Sequence, residues 1–104
     1  MVVQTPDAYE MVFVNAVHAL QAMYQQAVRT GTLHPGDPVP CTEAERRAMS
    51  HAESEVNHAW TTRYTLDTET RQVVGSSLSV EVFRSIVGEW FRPQREALRR
   101  VMST

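Results

Sequence analysis

Near the C-terminus, Val82, Phe83, Ile86, Val87, Trp90, Phe91, Ala97, Leu98, Val101 and Met102 recur at helical spacing and fill an arc of roughly 200° on a helical wheel. One helical neighbour does not cover so wide an arc, so the segment needs packing from more than one side, by its own chain or by something else. Pro93 sits inside the pattern. It removes a backbone donor and predicts a kink, or a break into two helices, near residues 89–92.

The second helical signal is at the other end. Thr5 is a candidate cap, Pro6 suits a first helical position, and Asp7 and Glu10 place negative charge at the positive end of the dipole. Gly31 is the matching stop. A helix between them would be roughly 37 Å long at 1.5 Å per residue. Val12, Met23, Ala16, Tyr9, Ala27, Leu20, Phe13, Tyr24 and Val17 form its apolar arc, of about 160°. Met11, Val14 and Ala22 lie on the other side around His18, which suggests a second, smaller contact surface.

The stretch TLHPGDPVPC, with three prolines and a glycine, reads as a stiff surface connection. TEAE then opens a second helix with a capping box of Thr42 and Glu45, expected to run to about Trp60. TTRYTLDTETRQVVG, rich in Thr, Tyr and Val around polar turn residues, predicts a short β-hairpin near 61–75, with a frayed helical extension as the alternative. The expected fold is therefore all-α: one domain over 1–104, a bundle of three to four helices with a long first helix, a Pro-kinked last helix and this small hairpin.

Composition narrows the function classes. With 42% hydrophobic and 21% charged residues the chain has the mix of a globular protein. It has no apolar run of membrane-spanning length, and MVVQTPDAYE lacks the basic start and long apolar core expected of a secretory signal. Its single cysteine, Cys41, excludes a disulfide framework within one chain and agrees with a reducing compartment, so a cytoplasmic location is expected. All ten basic residues are arginine, which a bias in genome composition accounts for. Residues 1–80 hold five Arg against nine acidic groups, residues 81–104 five against three. The basic end is the tail.

The most chemical-looking stretch is HAESEVNHAW. On a helix, His51, Glu55 and His58 share one side, and Glu-x-x-His is a spacing that carboxylate-bridged di-iron bundles use. Such a centre requires a second Glu-x-x-His and further inward glutamates, whereas the first and last helices offer only Glu10, Glu89 and Glu96. A solvated helix face with local Glu/His pairing is the expectation, and no metal or cofactor is expected. Cys41 precedes a helix cap with His34 in the same loop, but no oxyanion motif accompanies them. No catalytic residue is assigned.

The arc around Trp90 and Phe91, with Arg92, Arg95 and Arg99 at its rim, has the composition of an interaction hot spot. Core is the equally weighted reading. Met11 and Val14 are the second candidate surface. The expected function is non-enzymatic: a small protein-binding module and homo-oligomer, of the accessory or inhibitor kind that phages and other mobile elements encode. The alternatives are a nucleic-acid-binding regulator that uses Arg84, Arg92, Arg95 and Arg99 as a phosphate-tracking stripe and, behind it, a metal-binding helical protein.

Overall fold

A computed structural model describes residues 7–103. The order is α1 (Ala8–Arg29), α2 (Glu43–Thr62), β1 (Tyr64–Leu66), β2 (Val73–Ser76) and α3 (Val80–Met102). The chain is mostly helical with one small antiparallel hairpin, as its periodicities predict.

Local chemistry explains where each element starts and stops. Asp7 caps α1, its carboxylate accepting the Tyr9 N–H at 2.9 Å. Thr5 and Pro6, the cap and first helical residue expected from sequence, lie outside the described residues, and the capping role falls to Asp7. At the far end Gly31 takes φ +80°, the left-handed conformation that costs glycine little. Thr32 and Leu33 there donate back to the Ala27 carbonyl. The proline-rich connection is pinned to α1 by the Tyr24 hydroxyl, which donates to the Asp37 carbonyl. The α2 capping box is formed as the sequence predicts: Thr42 Oγ1 accepts the Glu45 N–H at 3.1 Å, and Glu45 accepts the Thr42 N–H at 2.7 Å.

The hairpin pairs Tyr64 with Ser76, Thr65 with Gly75 and Leu66 with Val73, with a bulge between Thr65 and Leu66. Asp67 accepts the Glu69 and Thr70 N–H groups and shapes the turn. Two strands are marginal alone. Here Tyr64 and Leu78 anchor them by packing on the helical core, and Thr65 and Ser77 share a hydroxyl hydrogen bond of 2.6 Å. Leu66, Val73 and Val74 remain exposed.

α3 is the element the others pack against. Both α1 and α2 lie along it, which is how its wide apolar arc is covered. Trp60 near the end of α2 lies against Phe83 near the start of α3, while Arg100 at the other end of α3 pairs with Glu45, so the two helices run antiparallel. Phe83, fully buried, is the meeting point: its ring stands edge-on to Tyr9 at 5.3 Å and Phe13 at 5.4 Å, and 6.1 Å from Trp60. Such edge-to-face contacts add about 0.5–1.5 kcal/mol each to the burial of the rings.

The helix count, three, is within the three to four expected. The expected bundle is not what forms: α1 and α2 both pack along α3 and meet each other at Phe13 and Trp60, 5.3 Å apart, in a flat, extended layer. Its extents are 56 × 36 × 21 Å and its radius of gyration is 17.1 Å, against about 13 Å for a compact chain of about 100 residues. α3 continues through Pro93 as one helix, so of the two outcomes expected there, a kink or a break into two helices, the break does not occur. Proline forfeits one backbone hydrogen bond, but Pro93 itself, Phe91, Ala97 and Leu98 are buried around that position. Their burial holds the helix together across the missing bond.

Two predictions follow from these contacts. Replacing Pro93 by Ala restores the donor and the better helix propensity, worth up to about 3 kcal/mol, against the smaller packing loss of the ring. Pro93→Ala should therefore raise the free energy of chemical denaturation, and a fall would show that the buried ring matters more than the hydrogen bond. The second concerns acid. Two Arg100 N–H groups, at 2.8 and 3.0 Å, and then the Thr42 N–H hold the Glu45 carboxyl at about 2, below its ordinary 4.5. A carboxyl lowered on folding stabilises the fold above its unfolded value and loses that contribution as pH falls through the folded one. The melting temperature should thus drop between about pH 4.5 and pH 2 partly through this pair, and Glu45→Gln should flatten that drop.

Candidate interaction surface

The residues weighed for metal or nucleophile chemistry lie apart. His51 Nε2 lies 3.4 Å from Glu55 Oε1, and both side chains are well exposed on α2. His58 lines an open groove of about 750 Å³ together with Glu55, Ala59, Tyr64, Leu78 and Ile86. Among the described residues, no three His, Cys, Asp or Glu side chains converge as metal ligands would. Cys41 is buried, with its Sγ 3.8 Å from Met49 Sδ. Burial, and then the Glu45 charge, raise its thiol above the ordinary value. That is the opposite of an activated nucleophile.

The arginines of α3 are largely engaged. Arg84 pairs with Glu81 at 2.8 Å, and Arg92 pairs with Glu89 at 2.7 Å and Glu96 at 3.7 Å. Arg95 is half-buried, reaching toward the Gly88 carbonyl at 3.5 Å beside a small notch between α1 and α3. Arg99 is exposed. Each local Glu–Arg pair lowers the field that a phosphate backbone would meet.

Phe91 is buried in the core, and Trp90 is half-buried with its ring 5.3 Å from Phe91 and 6.3 Å from Phe13. Within one chain, the Trp90 ring meets α1 at Phe13 and the Phe91 ring belongs to the core.

Met11 and Val14 are placed differently. They are 38% and 39% exposed, and Val17 is 38% exposed. Met11, Val14, His18, Gln21, Ala22 and Gln25 form one exposed stripe at the three-and-four spacing that brings residues onto one side of a helix. It lies on the far side of α1 from the buried Tyr9, Val12 and Ala27. Its clearest property is the absence of charge: from Met11 to Val28 there is no Asp, Glu, Lys or Arg, over roughly 27 Å of helix. Glu10 and Arg29 close the two ends. Solvated helix faces ordinarily carry charges, and depletion of charge marks the centre of protein interfaces. This signal was present in the sequence, but the residues are mixed with glutamines and are easily passed over beside the stronger apolar arc. The groove at His58 was not legible there, since three separate elements build it.

No family model, curated protein or solved structure matches the chain.

Proposed function

We propose that this chain is a non-enzymatic protein-binding module whose docking surface is the outer side of α1. The observation that carries the reading is the uncharged stretch from Met11 to Val28 on a helix with Met11, Val14 and Val17 open to solvent. Burying such a surface costs little, because it holds few strongly hydrated groups, and it returns about 25 cal/mol for each Å² of apolar area covered. The flat, extended layer is consistent with a protein that completes its packing with another surface. A small helical protein presenting one uncharged side suits an accessory or inhibitor role of the kind that phages encode, with the cytoplasm as its setting.

The reading is tested by tagging the chain in the cells it comes from and comparing what it retains with what Val14→Glu/Ala22→Glu retains. Both positions are exposed, so the melting temperature should stay within a few degrees. Two carboxylates in the middle of a desolvated surface should reduce retained protein by about tenfold or more, corresponding to at least 1.4 kcal/mol. Glu53→Lys, on an exposed position of α2, should retain as much as the unaltered chain. Full retention by the folded double variant would remove α1 as the docking surface.

A further inference from the structure

The charge pattern along α1 identifies the partner, resting on the proposal that its outer side is a docking surface. We propose that the surface is covered by a second copy of this chain, with the two α1 helices antiparallel and the two-fold axis passing beside His18.

In a two-fold pair each surface meets itself, so a charged residue near the axis meets its own like charge. The exposed stripe contains none, from Met11 to Gln25. Charges appear only at the ends of α1 and with opposite sign, Glu10 at the start and Arg29 at the finish, while the Asp7 carboxylate is held within the chain by the Tyr9 N–H and the Tyr64 hydroxyl. A parallel pair would set Glu10 beside Glu10 and Arg29 beside Arg29. An antiparallel pair brings Arg29 of each copy to the acidic start of the other and also opposes the helix dipoles favourably.

The register follows from the same residues. Met11 and Gln25, and Val14 and Ala22, are each equidistant in sequence from His18. An axis at His18 therefore stacks Met11 on Gln25 and Val14 on Ala22 while it brings Arg29 of each copy to the end of the other that carries Glu10. Small Ala22, exposed on the stripe beside His18, lets two helices approach toward the 8–10 Å separation of close packing.

Cysteine cross-linking in the full chain, with Cys41→Ala removing the native thiol, tests the arrangement. A disulfide requires Cα atoms about 4.4–6.8 Å apart, so His18→Cys should link to itself under mild oxidation. Met11→Cys should link to Gln25→Cys when the two variants are mixed, and neither should link to itself. In sedimentation, the unaltered chain should run as a dimer, and His18→Arg, which sets two permanent charges at the axis, should weaken association by about tenfold or more. Self-linking at Met11 and Gln25 without linking at His18 would overturn the antiparallel register. A monomer at every concentration, with no cross-link at His18, would overturn self-pairing altogether. In that case, loss of retained protein in Val14→Glu/Ala22→Glu would still show that the surface docks a different protein, whereas full retention would remove the docking reading too.

Discussion

The structure depends on the burial of α3 from two sides. Its apolar arc is too wide for one neighbour, and α1 and α2 divide it between them, with Phe83 at the point where Tyr9, Phe13 and Trp60 meet. Once α3 takes the central place, α1 and α2 become flanks. Each has one covered side and one open side. The open side of α2 carries charged residues such as Arg46, Arg47 and Glu53, as a solvated helix should. The open side of α1 carries none between its ends. That asymmetry between two otherwise comparable flanks directs the functional reading to α1.

The same central burial decides what α3 is available for. Phe91 lies inside, Trp90 is partly covered by Phe13, and Arg84 and Arg92 hold glutamates on their own helix. The composition of this helix resembles an interaction hot spot because interface centres and domain cores use the same aromatic residues. Sequence shows the residue types but not which side of the helix its own chain covers.

Several features were legible because their causes are local. The Thr42–Glu45 capping box, the Gly31 stop and the hairpin around Asp67 each depend on residues a few positions apart. The break that Pro93 would allow does not occur, for the complementary reason. Its local effect is to interrupt a helix, and what overrides it is the burial of Phe91, Ala97 and Leu98 around it. The groove at His58 and the arrangement of three helices about α3 are likewise products of packing between distant segments. The charge-free stretch of α1 lies between these cases: it is written plainly in the sequence, and acquires meaning once the structure shows that its outer side remains open.

Oxidative footprinting tests this account most directly, because Met11 is an exposed reporter at the margin of the proposed surface. Hydroxyl radicals would be applied to the purified chain across a dilution series, and the oxidation rate of Met11 compared with that of residues on the hairpin. The account predicts that Met11 becomes protected as concentration rises, while Leu66 and Val74 react equally throughout. A Met11 rate unchanged by concentration, with protection arising on the hairpin instead, would contradict it.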